Sequence, residues 1–391
     1  MKVVFLTTNL DPFAGWGRYS REVVARLPSL GVRPVVLVER GGRPSAPLPG
    51  VETYATLLPY AETLRNPART GLDVARALPY LRGATLVHCL AEPHLFTAYL
   101  MSLMLPGRPL VTTAVGTYAI SILDGRLGLR FRHAYRRSRA IPSISRYTGR
   151  RLGERMPELQ ARIEAIPLGV TMPVTAETAP PAREREQAFL AVGAVKRRKG
   201  SHLLVQALQR VCAQRPDAAL YFVGDDRDTE YVGEVKRLAE DLGVAARIRW
   251  MGQLSEPDLA AVYRRVRGLV MPSLNHGKHF EGFGLVHLEA NAVGVPAIGA
   301  RDCGNEDAIA DGRSGYLVRQ GDIDDLAGAM LRLLGPDAAW DDLSRSSLEF
   351  ARTMSWDRTA AGYADLYTRL RAAGKTRRAA HATTTVSTDA P

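Results

Sequence analysis

The sequence predicts an α/β protein made of two doubly wound parallel-sheet domains that face each other across a cleft. Three observations carry that prediction. Short apolar runs rich in Val, Ile and Leu alternate with longer helical patterns from end to end. The alternation breaks at a Thr/Pro/Ala-rich stretch, residues 171–182, and then restarts. The length, 391 residues, suits two to three domains at about 150 residues each. Continuous apolar strands separated by helices belong to parallel sheets covered on both faces.

In chain order, Val3–Thr8, Pro34–Val38, Thr85–Cys89, Leu110–Val115 and Ala140–Ser143 read as buried strands of a first domain, residues 1–170. Arg18–Leu30, Pro93–Leu105 and Arg126–Arg137 carry the helical period between them. Ile163–Val170 leads into the boundary. A second domain, residues 183–354, takes Ala188–Gly193, Ala219–Val223, Ile248–Trp250, Leu269–Met271, Pro296–Ile298 and Tyr316–Val318 as strands. Its helices are Ser201–Gln214, Tyr231–Leu242, Pro257–Val266, Leu285–Val293 and Ile323–Leu334. After a break at Thr353–Ser355, a last helix over Trp356–Arg371 is expected to pack back toward the first domain (residues 355–373). Residues 374–391 hold one large apolar side chain, Val386, and read as a disordered tail.

Composition excludes several classes. With 46% apolar and 24% charged residues, the chain is not wholesale disordered. Cys89, Cys212 and Cys303 lie far apart without a C-x-x-C pair, which argues against a disulfide scaffold or zinc knuckle and for a cytoplasmic setting. Val3–Leu6 is too short for a signal-peptide core. The longest nearly apolar stretch, Leu95–Pro106, falls below the ~20 residues that span a bilayer.

The strongest chemical signal runs from His279 to Ala290, H-F-E-G-F-G-L-V-H-L-E-A. A glycine-rich turn enters an apolar-periodic helix directly. Gly282 and Gly284 let backbone approach a ligand, and the helix start offers amides to an anion. Glu281 lies in the turn and Glu289 on the helix. Two carboxylates flanking an anion-binding turn can accept hydrogen bonds from hydroxyls on either side of a diphosphate, the layout that a nucleotide-sugar requires. A capping Glu plus a surface Glu is the bland alternative.

With Pro272-Ser273 before it, and Ala290-x-Ala292-x-Gly294-Val295-Pro296 and Gly304-x-x-Asp307-Ala308-Ile309 after it, the segment resembles the donor-binding core of family-4 glycosyltransferases of the GT-B fold. The family's E-x7-E pair matches Glu281 and Glu289. The resemblance is dense from about Phe189 to Val318 and thinner over the first 170 residues. It implies two Rossmann-like domains, a nucleotide-diphosphate sugar donor as co-substrate, hexosyl transfer with retention of configuration, and no cofactor or metal. By that match Glu281 contacts donor-sugar hydroxyls, and the amides of Gly282, Phe283, Gly284 and Leu285 hold sugar and diphosphate. Glu289 binds the ribose. Lys199 serves the leaving diphosphate, where cations stabilise the developing charge. The family's Arg position holds Ala194, so Lys196 or Arg198 is the expected replacement.

In the first domain Gly15-Trp16-Gly17 resembles the family's glycine-rich loop facing the cleft. Gly116-Thr117-Tyr118 matches a stretch that the family usually begins with His, where this chain has Val115; the polar work then falls to Thr113, Thr117 or solvent. His88 closes a strand and reads either as a core histidine or as a cleft residue, with Glu92 and His94 just beyond it. Gly15, Gly17, Thr117 and His88 thus form the expected acceptor side. Asp226-Arg227-Asp228 spells D-x-D but reads as a helix cap, and His276, His279 and His287 lack a zinc spacing.

The formal charge is +12, and the window Gly125–Arg151 holds nine Arg and no Asp or Glu. Without aromatic interleaving or a nucleic-acid motif, this predicts no nucleic-acid partner. It predicts peripheral attachment to an anionic membrane surface through Arg126, Arg130, Arg132, Arg136, Arg137 and Arg139. The sequence leaves donor base, sugar, acceptor and linkage open, with GDP-mannose and UDP-hexoses both possible donors. A nucleotide-sugar epimerase of the same fold and a non-catalytic nucleotide-sugar-binding protein are the rival readings.

Overall fold

The computed structural model describes residues 1–12, 15–44, 46–65, 68–125, 127–172 and 180–385. Arg126, most of the expected inter-domain stretch (173–179) and the last residues of the expected tail (386–391) lie outside that set. The chain divides into two compact units, one of Met1–Pro167 with the segment from Trp356 onward, the other of Leu168–Ser355.

The first unit is built on a parallel sheet of β1 (Lys2–Leu6), β2 (Arg33–Glu39), β3 (Glu52–Leu57), β4 (Leu86–Cys89) and β5 (Leu110–Thr112), in the order β3-β2-β1-β4-β5. Val3, Val4, Phe5 and Leu6 are fully buried in the central strand, as a continuous apolar run in a doubly covered sheet demands. A short parallel pair, β6 (Ile141–Ser143) with β7 (Ile163–Ala165), joins β5 through the bridges Val111–Ala140 and Ala114–Ser143. β3 is absent from the sequence-based reading because Glu-Thr-Tyr-Ala-Thr-Leu, half-buried on a sheet edge, has neither a continuous apolar run nor a clean period of two. The helices Arg69–Leu81, Arg146–Arg155 and Asp337–Thr353 were likewise not anticipated.

The last helix is longer than expected, running from Trp356 to Thr385 instead of giving way to a disordered tail at Gly374. Its Ala, Arg and Lys content favours the helical backbone. Its first turns belong to the first unit. Tyr363 Oη meets Tyr19 Oη at 2.6 Å and Thr113 Oγ1 at 3.2 Å, and Tyr367 Oη meets His88 Nδ1 at 2.6 Å. All five side chains in this network are buried, and the mutual bonding satisfies polar groups that would otherwise be costly to enclose.

The second unit carries a six-stranded parallel sheet of β8 (Ala188–Val192), β9 (Ala219–Val223), β10 (Ile248–Trp250), β11 (Gly268–Met271), β12 (Ala297–Ala300) and β13 (Gly315–Val318). Its order is β10-β9-β8-β11-β12-β13. The chain builds outward from β8 to β10 and then returns to the other side of β8. The topological switch point therefore lies between β8 and β11, where ligands bind outside the carboxyl ends of such sheets. Those two strands pair only at Gly268–Phe189 and Leu269–Leu190, which leaves their carboxyl ends outside the ladder. In the first unit the equivalent point lies between β1 and β4.

Candidate donor site and acceptor-side cavity

Both segments singled out in the second half of the sequence meet at the β8/β11 switch point. After β8 the chain passes through Gly193, at φ 127°, into a 3-10 turn over Arg197–Lys199. Gly200 then takes φ 74° and starts the helix Ser201–Cys212. A Cβ on Gly200 would lie 2.3 Å from the Pro272 carbonyl oxygen, so only glycine lets this turn press against the segment that leaves β11. The amide of Leu274 donates to the Arg198 carbonyl at 2.7 Å and fixes that contact.

The result is an ion-paired cluster. Lys199 Nζ lies 2.5 Å from Glu281 Oε2, Ser273 Oγ donates to the same oxygen at 3.2 Å, and Arg198 Nη1 approaches it at 3.5 Å. The Glu281 side chain is 14% exposed. Burial alone would push its carboxyl up; the charges of Lys199 and Arg198 and the Lys199 hydrogen bond outweigh burial and hold it down at about 2. It is a permanent anion held between cations.

The glycine turn is braced from beneath. Gly284 takes φ 86°, and a Cβ there would meet Asn305 Nδ2 at 2.5 Å. A Cβ on Gly304 would lie 2.0 Å from the Gly282 carbonyl oxygen. Gly304 donates its amide to the Glu281 carbonyl at 2.8 Å, and Asn305 Nδ2 donates to the Phe283 carbonyl at 3.2 Å. Buried His287 bonds the Gly284 carbonyl through Nδ1 at 2.8 Å; desolvation lowers its pKa to about 4, so it is neutral at pH 7. Phe283 is 2% exposed, so it presents only backbone. Leu285 opens the helix Leu285–Asn291, on which Glu289 stands half-buried.

Some expected residues are not brought to this cluster. Lys196 is exposed, with its charge close to Asp225. Arg197 instead pairs with Glu234 and lies over the Tyr231 ring at 4.9 Å. Ala194 brings no charge, so the cations here are Lys199 and Arg198. Within the D-x-D stretch, Asp228 caps the helix Thr229–Asp241 by accepting from the Tyr231 amide at 3.4 Å. No group of three or more metal-ligating side chains gathers among the described residues. Ser273, quoted only as part of a motif, and Asn305, the first residue of the helix Asn305–Ala308, have no role in the sequence-based reading, since neither residue type signals its partner.

The residues expected on the acceptor side occupy different settings. Gly15 and Gly17 lie in the first turn of the helix Gly15–Arg26, not in an open loop. Gly17 is there because a Cβ would strike Asn9 Oδ1 at 2.0 Å. His88 is fully buried, and its second nitrogen, Nε2, meets Thr113 Oγ1 at 2.9 Å. Desolvation drops its pKa to about 3. Both of its ring nitrogens are thus occupied, which makes His88 a core histidine, and Thr113 is enclosed with it. Thr117 begins the short helix Thr117–Ser121, partly buried. What the first unit does offer at its carboxyl edge is a cavity of about 600 Å³, lined by Asn9, Asp11, Glu39, Arg40 and Arg43 just past β1 and β2. Glu39 is steadied there by His94 Nε2 at 2.9 Å.

Comparison with known proteins bears on the family and the fold. A family model described as Glycosyl transferases group 1 matches residues 176–345, and one described as Glycosyltransferase Family 4 matches residues 13–172. A D-inositol 3-phosphate glycosyltransferase of Corynebacterium glutamicum is 35% identical over 179 residues, 45% of this chain and 42% of that protein. The match thus spans about two fifths of the relative's length. Among solved structures, a sucrose-phosphate synthase from Thermosynechococcus elongatus superposes with a TM-score of 0.74 at 21% identity, covering 95% of this chain and all of that one. Anabaena HepE in complex with UDP and glucose superposes at 0.70 with 18% identity, covering 94% of this chain and 100% of its own. The chain therefore belongs to the glycosyl transferases group 1 family, and its fold is GT-B, two Rossmann-like units in one polypeptide.

Proposed function

We propose that the protein transfers a hexosyl group from a nucleotide-diphosphate sugar, GDP-mannose or a UDP-hexose, to a glycan, lipid-linked or small-molecule acceptor, with retention of configuration. The observation that carries this reading is the Lys199–Glu281 pair at the switch point of the second unit, with a braced glycine turn beside it. When the bond from the anomeric carbon to the diphosphate breaks, its electron pair leaves with the diphosphate. Lys199 and Arg198 are placed to neutralise that charge. Glu281 is an anion at every physiological pH and accepts hydrogen bonds from sugar hydroxyls once the donor has drawn the cations toward its phosphates. The turn from Gly282 to Leu285 approaches sugar and diphosphate with backbone only. Glu289 takes the ribose hydroxyls. Catalysis on this reading is positioning plus leaving-group stabilisation, with no metal.

The acceptor belongs to the first unit, in the cavity beyond β1 and β2; its hydroxyl oxygen forms the new bond to the anomeric carbon and gives up its proton to the departing diphosphate oxygen. The names of the relatives make a phosphorylated polyol a natural acceptor to test, and Arg40 and Arg43 suit one. Peripheral attachment to anionic membrane through Arg130, Arg132, Arg136, Arg137 and Arg139 accompanies the lipid-linked option; equal sedimentation with neutral and anionic vesicles removes it.

The test is a thermal-shift screen of GDP-, UDP- and ADP-sugars, because a ligand of the native state raises Tm. One donor class is expected to stabilise the protein. With that donor, Lys199→Ala is expected to lower kcat by about 10²–10³, and Glu289→Ala to weaken donor binding. No shift with any nucleotide-sugar sinks the reading, an isomerised donor moves it to the epimerase, and tight binding without turnover across a broad acceptor panel moves it to the binding protein.

A further inference from the structure

The opposite edge of the first unit holds a second feature that the donor and acceptor roles do not use. Residues 107–109 lead into β5, and residues 136–139 lead into β6. Parallel strands bring these two segments together at the amino end of the sheet, where the Arg139 amide donates to the Leu110 carbonyl at 2.7 Å. A cavity of about 480 Å³ opens there, lined by Arg108, Arg136, Arg137, Arg139 and Arg162 and floored by Leu370 of the C-terminal helix. No carboxylate lines it among the described residues.

The five guanidinium groups are not equivalent. Arg162 is spent on the scaffold, donating to the carbonyls of Arg136 at 2.7 Å and Ser138 at 3.1 Å. That contact turns those two oxygens away from any incoming anion. Arg136 is held by Glu158 at 2.9 Å. Arg108, Arg137 and Arg139 make no side-chain hydrogen bond or ion pair among the described residues, although each has five N–H donors in a planar fork. Two arginines elsewhere in the same basic stretch have ring partners: Arg150 lies over the Tyr147 ring, and Arg130 lies over the Phe96 ring. Three exposed forks thus line one concave space without a carboxylate partner among the described residues.

We infer that this cavity is a binding site for a phosphate-bearing ligand, separate from the site of the transfer reaction. A phosphate dianion offers enough oxygens to engage several forks at once, two-pronged, which a single carboxylate cannot do. The volume admits a diphosphate or a phosphorylated small molecule. The same chemistry is carried by a phospholipid headgroup, so the experiment has an arm for each source.

Inorganic pyrophosphate is titrated calorimetrically into the full chain carrying Lys199→Ala, which removes the principal diphosphate cation of the second unit. The comparison is between Arg108→Gln/Arg137→Gln/Arg139→Gln and a charge-matched triple from outside the basic stretch, Arg237→Gln/Arg247→Gln/Arg352→Gln. All the replaced side chains are partly or fully exposed, and retained thermal unfolding confirms the fold. In parallel, each protein is floated with phosphatidylglycerol vesicles and with phosphatidylcholine vesicles at two salt concentrations. Saturable pyrophosphate binding that weakens at least tenfold in the cavity triple, and not in the charge-matched triple, establishes the site for a free phosphate ligand. Flotation with phosphatidylglycerol that is lost in the cavity triple alone establishes it for a headgroup. If the two triples behave alike in both arms, bulk charge explains all binding and the cavity is not a site.

Discussion

Two buried glutamates show how much a side chain's surroundings decide. Glu281 and Glu92 are both withdrawn from water, yet Glu281 sits near 2 and Glu92 near 8. Glu281 has Lys199 and Arg198 beside it. Glu92 has burial as its main influence, only partly offset by the Val115 amide that donates to Oε1. Its carboxyl is therefore mostly protonated in the folded protein at pH 7, while in the unfolded chain it ionises near 4.5. With the folded pKa raised, its contribution to stability is complete below pH 4.5 and is lost as pH rises toward 8. Glu92→Gln keeps the acceptor for the Val115 amide and removes the titration. The variant is expected to gain on wild type by at most ~1.4 kcal/mol per pH unit between 4.5 and 8. Denaturant melts of both proteins at about pH 5 and about pH 8 check it; an equal gap at the two pH values refutes the assignment.

Two glycines do opposite things according to what surrounds them. Gly304 has ordinary backbone angles, but the turn from Glu281 to Gly284 passes so close that a methyl group would overlap the Gly282 carbonyl. Gly328 lies inside the helix Ile323–Leu333, and a methyl group added there would meet nothing within 4 Å. Gly304→Ala is expected to cost about 1–3 kcal/mol by overpacking and to weaken nucleotide-sugar binding as the turn is displaced. Gly328→Ala is expected to stabilise by about 0.5–1 kcal/mol, because alanine is the better helix former. Urea unfolding of the two variants tests the signs, and a destabilised Gly328→Ala with an unaffected Gly304→Ala would reverse the argument.

For the molecule as a whole, the chain returns to its first unit after completing its second. Tyr363 and Tyr367 enter the polar network of Tyr19, His88 and Thr113 beneath the first sheet. Tyr367→Phe leaves the His88 Nδ1 nitrogen buried and unpaired, a loss of about 1–3 kcal/mol. That loss belongs to the first unit, so nucleotide-sugar affinity of the second unit is expected to stay at the wild-type value. Calorimetric unfolding alongside donor titration separates the two effects. Unchanged stability would show that the helix is not tied down where the hydrogen bonds place it.

Fold class and the two-part organisation were readable from the chain alone; that Lys199 and Glu281 serve one site is what the family resemblance implies, and their ion pair is visible only in the fold. Apolar runs declare buried parallel strands, and a glycine turn entering a helix has few other uses than close backbone approach. The edge strand β3 was not readable, because a strand with one neighbour and a wet face need not be apolar. Nor were the contacts of Ser273 and Asn305, whose partners lie 8 and 22 residues away in sequence. His88 was open to two readings until the fold placed Thr113 and Tyr367 on its two nitrogens. The basic window showed charge but not its geometry; ion pairs spent some of its arginines and strand order gathered others around one cavity. Composition and periodicity act locally and survive in a one-dimensional record. Burial, hydrogen-bond satisfaction and the pairing of charges depend on residues that only folding brings together.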